Sequence, residues 1–397
     1  MIDAHLDHDW MTPDHHAYAD SVRRFFAEEY QPYRAGYEAA GIVDPAFWRK
    51  AGKLGILGAS APESHGGQGL PRSFDLVTML EQCRIHDMGF GFSVHNIVTH
   101  YIAGLGTEEQ QARWLPRLIS GELVGAIAMT EPNTGSDLQS IRTSARRNGD
   151  HFLLDGSKTF ITNGQNAGLI VVVARTDPEA GSRGISLLVL ETEGAEGFRR
   201  GRNLKKLGQK AQDTSELFFD DVRVPVANVL GGIEGRGFMQ LMVQLPWERL
   251  VLGYISLGMV RTAFEMTLAH VRERMAFGKR LIDFQNTRFK LAEIKTGIEM
   301  LSAFLDRLAA EQEAGTLTAD RAAMAKLWAT EFQCQAMDTC LQMFGGYGYM
   351  EEFPISQLYA DARVQRIYGG TSEIMREIVA RSIDLDPARQ DNRGLRK

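Results

Sequence analysis

The hydrophobic pattern of the chain changes its period twice, and these two changes constrain the fold more than any other feature. Apolar residues recur at helical spacing in residues 1–125, fall in short strand-like runs in residues 126–233, and return to helical spacing in residues 234–397. Helices and strands need different periods, so each change indicates a boundary. The 397 residues are more than one core normally holds, and they are therefore predicted to form three domains with these bounds.

The first region carries clear helix signals. Four apolar residues share one helical face: Val22, Phe25, Phe26 and Tyr30. Pro32 is expected to end that segment. Asp44 before Pro45, and Thr107 with Gln110, are the residue types of helix N-caps.

The middle region is rich in β-branched and aromatic residues. Four runs have strand composition: 152–154, 169–174, 185–190 and 216–224. A turn at Asn148–Asp150 precedes the first of them. Because the runs follow one another without helices between them, an antiparallel sheet or a small barrel is predicted.

The third region predicts a bundle of four or five long helices. Two apolar stripes are expected to form its core: Ile294, Ile298, Leu301, Leu305 and Leu308, and then Met324, Leu327, Trp328 and Phe332. The helical pattern is expected to break at three places, which are 245–249 around Pro246, 274–285 and 342–346.

A turn follows the apolar run that ends near Ala128. Pro132 interrupts the run, so Gly135 and Ser136 are expected in a turn where a phosphate or a carbonyl group can approach the backbone. Met129 and Thr130 offer one apolar side chain and one donor to a flat ring. Taken alone, the pattern is also that of an ordinary surface turn.

Two further segments have similar chemistry. Phe160 and Thr162 lie in Lys158–Gly164, which is either a hairpin or a second wall for the same flat ring. Near the C-terminus, Gly369 and Gly370 separate two helices, and Thr371 is placed to cap the second one. Free amides at such a helix start favour a phosphate or a carbonyl oxygen.

Composition excludes several classes of protein. The net charge of -6 and the scattered lysines and arginines argue against a nucleic-acid partner. The three cysteines, Cys83, Cys334 and Cys340, lack the spacing of a metal site and suit a reducing compartment. No apolar run reaches the ~20 residues of a membrane span, and the N-terminus lacks the apolar core of a targeting signal. A cytoplasmic protein is predicted.

Taken together, five ordered motifs resemble the acyl-CoA dehydrogenase family over nearly the whole chain. They are Met-Thr-Glu-Pro at 129–132 with Gly-Ser-Asp at 135–137, Phe-Ile-Thr-Asn-Gly at 160–164, Arg-x-x-Phe-Gly-Lys at 274–279, Gln-x-x-Gly-Gly at 342–346, and Gly-Gly-Thr-Ser-Glu at 369–373. The resemblance implies an α+β multidomain fold with an α-helical N-terminal domain, a central antiparallel β-barrel and a C-terminal four-helix bundle. It also implies that FAD lies between the barrel and the bundle.

The same resemblance implies a role for each motif. The residues against the isoalloxazine ring would be Met129, Thr130, Phe160 and Thr162. Ser136 would lie near the flavin phosphate or the CoA group, and Thr371 and Glu373 would border the nucleotide. The FAD of a neighbouring subunit would be reached by Arg274, Gln285, Gln342 and Gly346, which implies a homotetramer built as a dimer of dimers. The motifs add Gly135, Ile161, Phe277 and Gly345 to the cofactor set and Gly370 to the substrate set.

The reaction of the family needs a base that removes the α-proton of the acyl thioester while the β-hydrogen leaves as hydride to the flavin. Most members carry a glutamate where this chain has Gly369, so a non-catalytic relative is one interpretation. The isovaleryl-CoA and long-chain subfamilies place the base on an earlier helix beside an arginine, where this chain has Glu248 and Arg249. Burial beside Trp247 is expected to raise the pKa of Glu248. The N–H of Gly369 would still donate to the thioester carbonyl.

Four further segments resemble the long-chain subfamily: 91–95, 209–214, 245–249 and 367–371. They favour a medium, long or branched acyl-CoA substrate, with electrons passing to an electron-transfer flavoprotein. Trp247 departs from the smaller polar residue expected beside the base, and it would narrow or redirect the channel for the acyl chain. A terpenoid acyl-CoA and an acyl group on a carrier protein are therefore alternative substrates. A flavin oxidase that reacts with dioxygen and a non-catalytic acyl-CoA-binding protein are the other interpretations.

Overall fold

The computed structural model describes residues 8–383. The chain divides into two compact units, the first ending at Gln244 and the second beginning at Leu245. The predicted succession of helices, sheet and helices is confirmed. The domain bounds at 125 and 233 stay predictions. Within the described residues, no helix combines the length and apolar composition that crossing a bilayer requires.

Six α-helices precede the sheet within the described residues. They are α1 (Pro13–Phe25), α2 (Arg34–Ala40), α3 (Pro45–Leu54), α4 (Ser73–Arg84), α5 (Phe92–Leu105) and α6 (Glu108–Ile119). Both predicted caps are confirmed, because Asp44 accepts the N–H of Ala46 at 2.7 Å and Thr107 forms a capping box with Gln110.

Pro32 does not end the first helical segment, contrary to expectation. A π-helical turn, Phe26–Tyr30, follows α1, and Pro32 lies in a 3₁₀ turn, Gln31–Tyr33, that leads directly into α2. Proline is tolerated in the first turn of a helix, where its missing N–H would have no intrahelical partner. The predicted apolar face of this segment is buried.

The sheet of the first unit contains seven strands among the described residues. They are β1 (Val124–Ala128), β2 (Ser144–Asn148), β3 (His151–Thr162), β4 (Ala167–Arg175), β5 (Ile185–Glu191), β6 (Phe198–Asn203) and β7 (Thr214–Pro225). The four predicted runs lie inside β3, β4, β5 and β7. β2 and β6 were not predicted, because both are rich in arginine and have mostly solvent-accessible positions.

The strands pair in the order β1-β4-β2-β3-β7-β6, with β5 beside β4. Most pairs are antiparallel, as expected, but β1 pairs with β4 in parallel and β2 meets the end of β4 in parallel. The antiparallel prediction is therefore corrected to a mixed, curled sheet. A parallel pair joins segments that are distant in the chain, and the pattern of neighbouring runs does not reveal it.

The sheet separates two apolar cores. Along β4, Leu169, Val171 and Val173 face a core that includes Tyr101, Ile102, Trp114 and Leu118 of α5 and α6. The alternate residues Ile170 and Val172 face a second core formed mainly by the other strands. β4 is buried on both faces, which explains its unbroken apolar composition.

The second unit is helical. It contains α7 (Gly237–Glu273) from Leu245 onward, α8 (Gln285–Glu313), α9 (Ala319–Met343), α10 (Pro354–Ala362) and α11 (Ser372–Ile383). The break predicted at Pro246 is wrong, because α7 continues through it. Pro246 lacks the N–H that would donate one turn back along the helix, and the burial of the apolar residues that follow offsets this cost. The break at 274–285 is confirmed as a two-stranded hairpin, β8 (Met275–Ala276) with β9 (Lys279–Arg280). α9 ends at Met343, within the third predicted break.

The two predicted apolar stripes have different outcomes. The stripe on α8 is buried, as predicted. The stripe on α9 is wrong, since Trp328 is 58% exposed and the other members are only partly buried. The buried face of α9 instead carries small residues, including Ala322, Ala325 and Ala329, and it also carries Lys326. Small side chains allow neighbouring helices to approach closely, so the smaller residues rather than the larger ones mark the core on this helix.

Candidate active site

A buried ion pair fixes the turn that follows β1. Lys158 is 0% exposed, and its Nζ lies 2.9 Å from Oε1 of Glu131 and donates to the carbonyl of Met129 at 2.9 Å. The Glu131 carboxylate also accepts the N–H groups of Arg142 at 2.7 Å and Thr143 at 2.9 Å. The carboxylate oxygens of Glu131 are paired with Lys158 and with backbone N–H groups, so the buried pair has a single favourable geometry. The turn is therefore held in place by β3 on one side and by residues 142 and 143 on the other.

The structure brings the two segments predicted to face one ring next to each other. The N–H of Thr159 donates to the carbonyl of Thr130 at 2.9 Å. This contact connects the Met129–Thr130 end of the first segment to β3, where Phe160, Ile161 and Thr162 follow. Ile161 is buried, whereas the side chains of Met129, Thr130 and Thr162 are partly accessible.

Phe160 is placed by a bulge in β3. Lys158 pairs with Leu217 and Ile161 with Ser215, so β3 has one extra residue between these pairs. Phe160 has a φ of +59° and its side chain is 67% exposed. An aromatic residue with a left-handed backbone and an exposed ring is costly, and such strain is concentrated at functional sites. The ring is available to a flat partner.

Gly135 and Ser136 are exposed, as the sequence predicted for an accessible turn. The turn closes through paired backbone hydrogen bonds between Glu131 and Thr134 at 2.9 and 3.1 Å. A Cβ built on Gly135 meets nothing within 4 Å among the described residues. The backbone here is open to a ligand.

In the second unit, Glu248 and Arg249 are buried on α7, with exposed fractions of 7% and 6%. Trp247 beside them is 2% exposed. Burial lowers the pKa of the Arg249 guanidinium, and the neighbouring Glu248 carboxylate raises it. The Nε of Arg249 is buried and has no hydrogen-bond partner in the part of the chain that the structure describes. Glu248 and Arg249 are thus two buried ionisable residues of opposite charge in an apolar part of the helix. Buried ionic groups add little to stability, so their presence here indicates a functional role.

Gly369 lies against α7 one turn after Glu248. A Cβ built on Gly369 would lie 2.3 Å from Cδ1 of Leu252, which is four residues after Glu248. Residues four apart lie on one face of a helix. The predicted donor therefore lies against α7 one turn from the predicted base.

The backbone N–H of Gly369 has no acceptor among residues 8–383. Gly369 and Gly370 have φ values of +63° and +94°, which only glycine adopts without strain. The predicted cap is confirmed, because Oγ1 of Thr371 accepts the N–H of Ile374 at 3.3 Å. Glu373, in the first turn of α11, is exposed and lies 3.8 Å from Arg376.

A cavity of about 570 Å³ in the second unit brings together four predicted cofactor residues. Its lining includes Arg274, Gln342, Gly345 and Gly346. Arg274 also lies over the ring of Tyr347 at 5.9 Å.

Two other predicted cofactor residues lie outside this lining. Gln285, the first residue of α8, is exposed. Phe277 is 96% exposed at the tip of the β8–β9 hairpin and has a φ of +52°. Both therefore present their side chains to the outside of the second unit.

Two lysines were missed by the sequence analysis. Lys158 was noted only as the start of a motif, and Lys326 was not noted at all. A lysine at an otherwise buried position of a helix or strand is the available signal. It is weak, because most lysines in such patterns lie on solvated faces.

Family models match almost all of the described chain. The acyl-CoA dehydrogenase N-terminal domain matches residues 12–122, the middle domain matches residues 126–222 and the C-terminal domain matches residues 235–383.

Individual relatives agree with the family models. The mitochondrial long-chain specific acyl-CoA dehydrogenase of Mus musculus is 48% identical over 94% of this chain and 87% of its own length. The mitochondrial isovaleryl-CoA dehydrogenase of Pongo abelii is 37% identical over 86% of this chain and 81% of its own length. A crystal structure of an acyl-CoA dehydrogenase from Geobacillus kaustophilus has a TM-score of 0.93, with 43% identity over 95% of this chain and 100% of that chain. The resemblance seen in the five motifs is confirmed, and the chain belongs to the acyl-CoA dehydrogenase family.

Proposed function

We propose that the chain catalyses the FAD-dependent α,β-dehydrogenation of a saturated acyl-CoA to the trans-2-enoyl-CoA, with Glu248 as the base. The observation that supports this proposal is the contact of Gly369 with Leu252 on α7, one turn after the buried Glu248. A base and a carbonyl donor on one side of a helix are what removal of an α-proton needs.

Each of these groups has one task. The Glu248 carboxylate takes the α-proton, and its burial keeps competing water away. The N–H of Gly369, which has no acceptor within the described residues, donates to the thioester carbonyl and stabilises the enolate that forms. Arg249 orients the carboxylate and favours its ionised form.

The residues present fit a flavin nucleotide. Phe160 offers an exposed ring, and Thr130 and Thr162 offer partly accessible hydroxyl groups. Cβ atoms built on Gly345 and Gly346 meet nothing within 4 Å among the described residues. A ligand in the cavity beside Arg274 can therefore approach the backbone of these two glycines closely. When bound, FAD accepts the hydride that leaves the β-carbon.

We assign the cofactor and substrate contacts from the same motifs. Flavin-ring contacts are proposed for Met129, Thr130, Phe160, Ile161 and Thr162. Ser136 and Gly135 would hold a phosphate of the flavin or of CoA, and Thr371 and Glu373 would border the nucleotide. The FAD of a neighbouring subunit is proposed to meet Arg274, Phe277, Gln285, Gln342, Gly345 and Gly346.

For the substrate we propose a medium, long or branched acyl-CoA, supported by the subfamily motifs and by the identity to the long-chain relative. Electron-transfer flavoprotein is the proposed acceptor. A homotetramer is the proposed assembly. The three free thiols support a reducing compartment, for which we propose the cytoplasm.

An anaerobic titration with straight-chain and branched saturated acyl-CoAs tests the reaction. Stoichiometric loss of flavin absorbance is expected with at least one of these substrates. Glu248→Gln keeps the shape of the side chain and removes the base, so it should retain FAD and bind acyl-CoA yet leave the flavin oxidised.

The same titration separates the competing interpretations. Near-normal flavin reduction in Glu248→Gln would contradict the assignment of the base. A yellow wild-type protein that no acyl-CoA bleaches would favour a carrier-bound substrate or a non-catalytic role. Rapid reoxidation of the reduced protein by air would identify an oxidase instead of a dehydrogenase.

A further inference from the structure

Lys326 is a buried lysine that the roles above do not use. It lies on the buried face of α9 and is 0% exposed. Its Nζ donates to the carbonyl of Gly370 at 2.6 Å. Among residues 8–383, that carbonyl is its single hydrogen-bond partner, and it forms no ion pair. An ammonium group has three donors, so this one is sparsely satisfied.

Such a group is expensive. Burying a cation without a carboxylate partner costs free energy, and an apolar residue of similar volume is commonly more stable at such a position. Burial, with smaller effects of Arg249 and Arg366, lowers the pKa of Lys326, and Glu331 and Glu373 raise it, so that the pKa is about 8. A costly charge beside a site suggests a functional reason for its presence.

The partner of Lys326 belongs to the turn that carries the proposed oxyanion donor. Before the turn, Ile367 donates to the carbonyl of Val364 at 2.8 Å, and after it Thr371 caps α11. Between these anchors are two glycines with positive φ, which have more backbone freedom than any other residue type. The hydrogen bond from Lys326 restrains this flexible part of the turn directly, at the backbone of Gly370.

We propose that Lys326 is a positioning residue: its ammonium group holds the carbonyl of Gly370 and thereby fixes the direction in which the N–H of Gly369 donates to the thioester carbonyl. This inference rests on the proposed function. A donor that is displaced by about 1 Å loses much of its effect on a transition state, so the anchor acts on the rate of proton removal rather than on binding.

The anchor is also sensitive to pH. The charged groups that face Lys326 are Arg249 from α7, Arg366 from the turn after α10, Glu373 from α11 and Glu331 on α9 itself. Lys326 is charged below about pH 8 and loses its proton as the pH rises through that value. The neutral amine is a weaker donor, so the rate of flavin reduction should fall on the alkaline side.

Lys326→Met tests the anchor, because it keeps an unbranched side chain that is only one atom shorter and removes the donor. We expect the FAD content and the acyl-CoA affinity to stay within about threefold of wild type, while anaerobic flavin reduction slows by roughly tenfold to a hundredfold. The Tm should not fall, since a buried charge is removed. Thr330→Val is the matched control, one turn along α9 at another buried polar position, and should reduce its flavin at the wild-type rate.

The outcomes distinguish this inference from the proposed function. If acyl-CoA reduces the flavin of Lys326→Met as fast as that of wild type, the positioning role of Lys326 is overturned, while the proposed dehydrogenase activity stands. A loss of rate that comes with a lower Tm, or that Thr330→Val shares, would show a structural role and overturn it as well. A wild-type protein that no acyl-CoA reduces overturns both.

A second variant covers the case in which Lys326→Met does not fold. Lys326→Arg keeps a donor that stays charged well above pH 8. Its alkaline loss of flavin-reduction rate should therefore be absent, whereas wild type should show one near pH 8. An alkaline limb of the same midpoint in Lys326→Arg would overturn the proposal.

Discussion

Leu252 occupies the space into which a side chain at Gly369 would extend. A Cβ at position 369 would lie 2.3 Å from Cδ1 of Leu252, one turn after Glu248 on α7. A glutamate at 369 would therefore displace the end of the Leu252 side chain on the helix that carries Glu248. The glycine avoids this contact, and its N–H is the donor that we propose.

Gly369→Ala should lower both stability and activity. The φ of +63° costs a residue with a Cβ about 1–3 kcal/mol, and the contact with Leu252 adds to this. Gly315→Ala is the matched control, because Gly315 has a φ of +68° and open space around it. Thermal unfolding should show a lower Tm in both variants. Anaerobic flavin reduction should be slower only in Gly369→Ala. Equal reduction rates in the two variants would refute a catalytic role for the 369 position.

The effects of substitutions at Lys158 and Glu131 on the free energy of unfolding should be strongly non-additive. Lys158→Met leaves the Glu131 carboxylate buried without its countercharge, at a cost of about 3–5 kcal/mol. The double variant with Glu131→Gln should lose less than the sum of the two single variants. Thermal unfolding measures this. Arg202→Met breaks an exposed pair with Glu216 and should cost less than about 1 kcal/mol. Additive losses at 131 and 158 would contradict the interpretation.

The Glu131 carboxylate should also make the stability of the folded chain depend on pH in the acid range. Burial raises the pKa of Glu131, but Lys158 and the N–H groups of Arg142 and Thr143 outweigh it, so the pKa lies below its usual value of 4.5. The ionised carboxylate therefore stabilises the folded chain above about pH 4.5, and this stabilisation is lost as the pH falls through the folded pKa. The Tm of wild type should fall more steeply below pH 4.5 than that of Glu131→Gln. Parallel Tm profiles would show that Glu131 makes no such contribution.

Phe160→Leu should weaken FAD binding without destabilising the protein. Leucine keeps the apolar character and the φ of +59°, but it cannot stack on a flat ring. Loss of one aromatic contact corresponds to about 1 kcal/mol, or roughly fivefold in Kd. Flavin fluorescence during dilution of the holoprotein gives the Kd, and thermal unfolding of the apoprotein serves as the control. Unchanged FAD affinity would remove Phe160 from the cofactor set.

Arg274→Ala should reduce FAD retention by about tenfold or more, if the guanidinium contacts the nucleotide of a neighbouring subunit. Arg274 lines the 570 Å³ cavity, whereas Arg272, two residues earlier on the exposed end of α7, does not. Arg272→Ala is therefore the control. Light scattering alongside the FAD measurement would separate loss of the assembly from loss of the contact. Equal FAD retention in both variants would exclude the role of Arg274.

The sequence was sufficient for features that depend on local chemistry. The caps at Asp44, Thr107 and Thr371 and the long strands β3, β4, β5 and β7 were predicted because each has its own pattern of residues. The order of the motifs was enough to identify the family.

Other features depend on packing between distant segments. The parallel pairing of β1 with β4 leaves no local signal, and β2 and β6 are too polar to be distinguished from loops. On α9, the exposed Trp328 and the buried Lys326 reverse what hydrophobicity predicts. The hydrogen bond from Lys326 to the carbonyl of Gly370 joins residues 44 apart in the chain, so no local pattern predicts it.

The pairing of β1 with β4 sets an order of events during synthesis. Val124–Ala128 leaves the ribosome before its parallel partner, Ala167–Arg175, and the β2–β3 hairpin is made in between. Until β4 arrives, β1 is an apolar strand with unpaired backbone groups, which is the kind of segment that aggregates or binds chaperones. The nascent chain therefore exposes β1 while these roughly forty residues are made, and slower translation there would prolong the exposure.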